Sequence, residues 1–238
     1  MKKYNTKIIS LIVVISLITG IIPVFFMAKA VERDDKDVDI YYKKENDYMK
    51  IALTFDDGPH PRYTSQILDV LDEYGIKATF FVVGINAKNY PDSLSEVIKR
   101  GHEIGNHTHT HPHVSCLNTG TLTSEVEQCE STIYGLTDYK TKLFRPPEGM
   151  IDADVRTVLR SLDYKVIMWD IDTRDWAHES PQKIAENVVS NIESGDIILM
   201  HDYIGHNSPT VEAINLFIPA LLEKGYKFVV ISELIGLE

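Results

Sequence analysis

Cysteine is scarce in this chain, with only Cys116 and Cys129 among 238 residues. Two thiols are too few for a disulfide-built scaffold, so the fold has to rest on a hydrophobic core. Apolar residues make up 44% of the sequence, enough for that core. The two cysteines lie thirteen positions apart and could pair in an exported protein, but unpaired thiols are the expectation. Positive charge is the second shortage. The 24 Lys and Arg face 35 Asp and Glu, a formal net charge of −11. The first thirty residues hold four Lys and no acid, so the remainder carries −15. A surface of that sign excludes nucleic-acid binding, which needs a basic footprint. It also excludes simple electrostatic capture of polyanions. Internal repeats and low-complexity tracts are missing too, which sets aside repeat architectures.

What is present begins with a basic start, Met1 to Lys7, and an apolar run from Ile8 to Ala28 broken mainly by Ser, Thr, Gly and Pro23. Ala28-Lys29-Ala30 fits a small-x-small cleavage site and reads as a signal peptide removed after Ala30. The run of 21 residues also fits a membrane span and reads as a retained anchor. Basic residues ahead of it keep the N-terminus inside and send the rest out. Either way the working domain is expected to be extracytoplasmic, touching a membrane only through residues 1–30. Residues 31–48 are rich in charge and read as a linker.

From residue 49 to 238 strand and helix patterns alternate. Strands are expected at 50–55, 78–83, 102–105, 143–145, 165–170, 196–200 and 227–231. Helices are expected at 63–74, 92–100, 122–134, 152–162, 181–193 and 210–224. Ser180-Pro181 is a helix start with an N-cap and a proline at the first helical position. Alternation of this kind implies a parallel sheet with helices outside, and seven strands suggest an α/β barrel.

The chemistry collects where apolar runs end. Ile51-Ala-Leu-Thr-Phe-Asp56-Asp57-Gly58-Pro59 is a buried-strand pattern stopped by two carboxylates and a turn. Successive side chains on a strand alternate faces, so Asp56 and Asp57 are expected to do different jobs. His107-Thr-His109-Thr-His111-Pro-His113 follows a strand-like piece. His is the commonest metal ligand. Two imidazoles with one carboxylate, here Asp57, make a catalytic metal set with positions left for water. The spacing of His107 and His111 brings both rings to one side of a turn, with His109 pointing elsewhere. Arg145 precedes two prolines and can fork onto a carboxylate. Trp169-Asp-Ile-Asp172-Thr-Arg-Asp175-Trp176 and Ile197-Ile-Leu199-Met-His201 are two further apolar stretches ending in ionisable groups. On a barrel these ends converge on one rim.

Five of these motifs carry a resemblance: Thr54-Phe-Asp-Asp-Gly58, His107-Thr-His-Thr-His111, Arg145-Pro-Pro-Glu-Gly149, Asp172-Thr-Arg-Asp-Trp176 and Leu199-Met-His201. In this order they resemble the polysaccharide deacetylase family, the NodB-homology or carbohydrate esterase family 4 group, over about residues 50–235. The resemblance implies a distorted barrel of seven to eight parallel strands. It implies metal ligands at Asp57, His107 and His111, for zinc first, with cobalt, nickel or iron as alternatives. It implies a base at Asp56 oriented by Arg145, and an acid at His201 tuned by Asp175. Trp176 and Leu199 match the walls that receive the acetyl methyl, and the Glu148 N–H matches an oxyanion donor. The Glu148 position is commonly aromatic in the family. Here its side chain is expected to point to water, with contact to a substrate hydroxyl or amine as the alternative.

The activity so implied is metal-dependent removal of N-acetyl groups from a polysaccharide, peptidoglycan or chitin-type, by a hydrolase acting on carbon–nitrogen bonds other than peptide bonds. An O-acetyl xylan esterase would use the same site, and a non-catalytic glycan-binding module is a third reading. A glycosidase with paired carboxylates would not need His107 and His111. The remaining histidines, His60, His102, His109, His113, His178 and His206, are expected at surface or supporting positions. Oligomeric state cannot be read from the sequence.

Overall fold

The structure, a computed structural model, describes residues 37–237. The expected export segment, residues 1–30, lies outside them. At the centre stands β2 (Lys50–Asp56), buried from Ile51 onward. Its two faces have different partners. Ile51, Leu53 and Phe55 pack in the larger core with the surrounding helices, while Ala52 packs inside the barrel with Phe81, Leu143 and Ile167. Side chains alternate along a strand, so Thr54 and Asp56 share the inner face with Ala52. Fully burying a Leu or Phe typically stabilises by about 1.5–3 kcal/mol, and Leu53 and Phe55 are both at 0% exposure.

The remaining strands are β1 (Ile40–Tyr41), β3 (Thr79–Val82), β4 (Glu103–Asn106), β5 (Leu143–Phe144), β6 (Lys165–Ile167), β7 (Ile171–Asp172), β8 (Ile197–His201) and β9 (Lys227–Phe228). They run β1-β6-β5-β4-β3-β2-β8-β7, with β9 added to the start of β2. Each of these pairings is parallel. Helices cover the outside: α1 (Tyr63–Glu73), α2 (Gly84–Asn89), α3 (Pro91–Lys99), α4 (Thr119–Thr137), α5 (Ala153–Ser161), α6 (Pro181–Asn191) and α7 (Thr210–Glu223), while the short α8 (Ile231–Ile235) packs Ile231, Leu234 and Ile235 into the same cluster as Ala52.

The sheet has to curl. β6 and β7 are six strand spacings apart in the order, which in a flat sheet is about 29 Å. Yet only Met168, Trp169 and Asp170 separate them in the chain, a reach of at most about 14 Å. The chain leaves β6 beside β5 and re-enters as β7 beside β8, where the Asp170 N–H already donates to Ile197 O at 3.1 Å. This bend closes a distorted half-barrel along an irregular seam. Lys43 bridges antiparallel to Asp196 and laces the seam at its foot.

Four expectations are corrected here. The charge-rich stretch 31–48 is not linker throughout: from Asp37 the chain belongs to the compact unit. Val38 is buried, and Ile40–Tyr41 pairs with β6, because apolar residues alternate with the charges. The expected strand 165–170 is split by the seam, and 227–231 shortens to β9 before α8 begins. The 122–134 helix starts earlier, at Thr119, because the Asn118 side chain accepts from the Thr121 N–H. The short α2 and α8 had no periodic signal long enough to read. Cys129 is buried and donates to Val82 O at 3.3 Å, Cys116 is exposed, and the two are not bonded to each other.

Candidate active site

Strand register builds the site. Asp56 ends β2 opposite His201 at the end of β8, and Leu199 lies opposite Asp172 on β7. Asn106 ends β4 opposite Phe144, so His107 and Arg145 leave their strands side by side. All are C-terminal strand ends and share one rim. They enclose a cleft of about 460 Å³ lined by Asp56, Asp57, His107, His111, Glu148 and Leu199 among others.

Asp57 lies just past β2 with φ at +75°, in the left-handed region. That turn cancels the strand alternation, so both carboxylates face the cleft rather than opposite sides. They still differ in their partners. Gly58 follows because the Asp202 carboxylate packs where a methyl group would stand. Asp202 is buried, and the Thr64 hydroxyl donates to it. Burial raises its pKa to about 7. The Asn86 amide holds the Asp57 carbonyl at 2.8 Å.

Asp57, His107 and His111 bring three ligand-type atoms within 4.8 Å of one another. The Asp57 Oδ1 lies 3.4 Å from His107 Nε2 and 3.1 Å from His111 Nε2, yet it is buried with no hydrogen bond of acceptable geometry. His107 Nδ1 faces the Arg145 carbonyl at 2.7 Å. A carbonyl only accepts, so Nδ1 carries the proton and the Nε2 lone pair points into the cleft. Burial pushes the Asp57 carboxyl up, but the two imidazoles and His201 outweigh it and hold the group well below the usual carboxylate range. Thr108 and His111 both have positive φ, so an irregular loop, not a helix, aims the rings. Glu125 on α4 accepts from the N–H of His109 and of Thr110 and pins that loop.

Arg145 and Asp175 lie beneath the cleft at 0% exposure. The Arg145 guanidinium donates to Asp56 Oδ1 at 2.7 Å, Thr54 Oγ1 at 2.8 Å, Ile167 O at 3.0 Å and Met168 O at 2.9 Å. Asp56 keeps its other oxygen toward the cleft, 3.8 Å from His107 Nε2. Asp175 Oδ1 faces His201 Nδ1 at 2.8 Å, and its Oδ2 accepts from the His201 N–H and the Thr210 hydroxyl, both at 2.8 Å. Burial alone would depress the His201 pKa. The hydrogen bond and charge of Asp175, with the fields of Asp56 and Asp57, outweigh burial and raise it to about 9.

Glu148, at φ +57°, sits on the cleft edge with its carboxylate 2.8 Å from Nδ1 of the exposed His113. It is thus partly solvated, as expected, but paired. Both tryptophans of the chain line the cleft, Trp169 beside the expected Trp176. Thr54, Trp169 and Asp172 lay within the marked motifs but were given no role of their own, and Asp202, Thr210 and Glu125 were not assigned to the site. Thr54 and Trp169 carried a signal, since each lies on a strand end already marked. Thr210 carried none, because only tertiary folding brings it to Asp175.

A parallel barrel with its ionisable groups gathered on one rim has the layout of an enzyme. The chain belongs to the polysaccharide deacetylase family, which it matches over residues 43–167. It is an enzyme of that class, a hydrolase. A peptidoglycan-N-acetylglucosamine deacetylase of Bacillus cereus (strain ATCC 14579) is 39% identical over 204 residues, covering 82% of this chain and 92% of that protein. The crystal structure of the peptidoglycan N-acetylglucosamine deacetylase Bc1960, in complex with 4-naphthalen-1-yl-N-oxidanyl-benzamide, is similar with a TM-score of 0.79 and 33% identity. That match covers 82% of this chain and 92% of the other. A family 4 acetyl xylan esterase from Clostridium thermocellum, in complex with a cobalt ion, has a TM-score of 0.74 at 31% identity, covering 79% and 91%.

Proposed function

We propose that this protein removes N-acetyl groups from peptidoglycan outside the cytoplasmic membrane, using a divalent cation held by Asp57, His107 and His111. The observation that carries the reading is the orphaned Asp57 Oδ1, buried 3.4 Å from His107 Nε2, whose lone pair faces it, and 3.1 Å from His111 Nε2. Such an arrangement repels itself unless a cation sits among the three atoms. One carboxylate and two neutral imidazoles suit zinc, and also cobalt, nickel or iron. A cation bound there supplies Lewis acidity, polarising the acetamide carbonyl and acidifying water.

The chain's own groups divide the proton work. Asp56, tied to Arg145 through one oxygen, takes a proton from the attacking water with the other. His201 gives a proton to the departing amine, which must not leave as an anion. Asp175 keeps His201 in the right tautomer and charged. The Glu148 N–H is the donor assigned to the oxyanion, and one such donor is typically worth about 3 kcal/mol. Trp176 and Leu199 wall the acetyl methyl. The products are acetate and a free amino sugar.

Acetate release from purified peptidoglycan and from N-acetylglucosamine oligomers tests this. Chelated protein is expected to be inactive and to recover with zinc. Acetate from the oligomers alone would move the substrate to chitin-type glycans. Acetate from acetylated xylan alone would make the protein an O-acetyl esterase, as the esterase-like neighbour allows. No acetate from any of them, in folded and zinc-loaded protein, would leave only a binding module. Replacing His111 by Ala removes one of three ligands, so zinc is expected to be lost on desalting; full zinc content would break the ligand assignment.

The His201–Asp175 pair predicts a pH dependence. With its pKa raised to about 9, His201 stays charged, and able to donate, up to that pH. The alkaline limb of kcat/KM is therefore expected near pH 9. Asp175→Asn removes the charge that raises the pKa, so the limb moves toward acid. The charged His201 also favours the fold: that contribution is present below the unfolded pKa and fades as pH rises through about 9. An unmoved limb in Asp175→Asn would assign the acid role to another group.

A further inference from the structure

We propose that Tyr203, backed by His60, is a stacking platform for the pyranose ring next to the one being deacetylated. This proposal rests on the glycan deacetylase reading. A second cavity, of about 340 Å³, opens on the side of the metal-ligand trio away from the tryptophans. Asp57 and His111 line both this cavity and the catalytic cleft, so the two spaces meet at the proposed cation site. A polymer whose acetamide sits there lays its neighbouring sugar into one of these spaces.

The far walls of the second cavity have the chemistry of a sugar subsite. Tyr203 and Ile85 keep 41% and 43% of their surface in water, though each is large and apolar. Exposed aromatic and aliphatic groups at the mouth of a site are recognition surface rather than core. Asn86 donates to the Asp57 carbonyl, and its own Oδ1 accepts no hydrogen bond among the described residues. That leaves an acceptor for a hydroxyl or acetamide N–H beside an apolar surface. A pyranose presents this same mixture, with C–H faces above and below and polar groups around the edge.

Tyr203 is also held still. Its ring stacks on His60 with centroids 4.9 Å apart and planes 8° apart. His60 is itself fixed. Its Nδ1 accepts from the N–H of Arg62 at 3.2 Å and of Tyr63 at 3.3 Å, and its own N–H donates to Thr64 Oγ1 at 2.7 Å. Tyr63 and Tyr90 pack against the same imidazole at 5.0 and 5.9 Å. An exposed tyrosine braced from behind loses little entropy when a ring settles on its open face. The brace has no role in the acetyl-transfer chemistry, which accounts for neither His60 nor Tyr203.

The test compares the wild type with Tyr203→Ala, Tyr203→Phe and His60→Ala, measuring kcat and KM for acetate release from N-acetylglucosamine itself, which has no neighbouring ring, and from its hexamer. Tyr203→Ala is expected to raise KM for the hexamer by about tenfold, the worth of one good aromatic contact, with kcat unchanged. Its effect on the monosaccharide is expected to be much smaller. Tyr203→Phe keeps the platform and should behave as wild type, and His60→Ala should fall between Tyr203→Ala and wild type. Zinc content and melting temperature serve as controls, and neither should move in Tyr203→Ala, since the side chain is exposed. Unchanged hexamer KM in Tyr203→Ala, with the wild type active, would overturn the platform and leave the deacetylase reading standing. Folded, zinc-loaded wild-type protein that releases acetate from neither the hexamer nor purified peptidoglycan would overturn both.

Discussion

Asp56→Asn is expected to lower turnover on N-acetylated glycan by about 10²- to 10⁴-fold, the usual worth of a positioned general base. The substitution keeps the shape of the side chain, and the Asn oxygen can still accept from Arg145, which donates to Asp56 Oδ1 at 2.7 Å. What disappears is the second carboxylate oxygen, the one facing the cleft, together with its negative charge. An amide there cannot take a proton from water. Asp57, His107 and His111 are untouched, so the zinc content of the purified variant should equal that of the wild type. The two readouts separate the roles of the adjacent carboxylates: Asp57→Asn should lose metal and activity together, Asp56→Asn activity alone. An Asp56→Asn protein that retains most of its rate with zinc bound would place the base elsewhere.

Much of this site was legible because strand ends are legible. Apolar runs that stop on Asp56, Arg145, Asp172 and His201 announce both the strand and the group at its end. The pattern could not supply register. That Asp56 faces His201 across β2 and β8 depends on pairing residues far apart in sequence. Nor could it show that Asp57 turns left-handed and rejoins Asp56 in the cleft, because a positive φ at a non-glycine residue leaves no mark in the residue pattern. The seam was hidden for a related reason. Residues 165–170 read as one strand, and only the pairing of the flanking segments shows that the chain crosses there from one sheet edge to the other. β1 was obscured by the charges around it: two apolar residues are enough to pair with β6, but too few to stand out among eighteen mostly polar ones.

Arg145 is where fold and chemistry cannot be separated, and its replacement carries the other large effect. The guanidinium starts at the end of β5, crosses the barrel interior to Thr54 and Asp56 on β2, and also donates to the carbonyls of Ile167 and Met168 at the β6–β7 seam. The Phe81 ring lies 4.2 Å from its centre and seals it from water. Arg145→Met would leave Asp56 buried without its counter-charge and two seam carbonyls without donors. Breaking a buried ion pair from one side costs about 3–5 kcal/mol. For a domain of this size that is a fall in melting temperature of about 6–20 °C. Arg145→Lys keeps the charge but not the planar fork, so it cannot hold Asp56 and both carbonyls at once. A smaller loss of stability is expected, with activity still strongly reduced because Asp56 is no longer aimed. The decisive comparison is the double variant Arg145→Met/Asp56→Leu. If the penalty in Arg145→Met is mainly the stranded carboxylate, removing that carboxylate as well should return part of the lost stability, a coupling that thermal unfolding of the four proteins would reveal. If the double variant is no more stable than Arg145→Met alone, the seam carbonyls carry the penalty instead. Arg145 would then be first a closure of the barrel, and the partner of Asp56 only because that closure passes beneath the cleft.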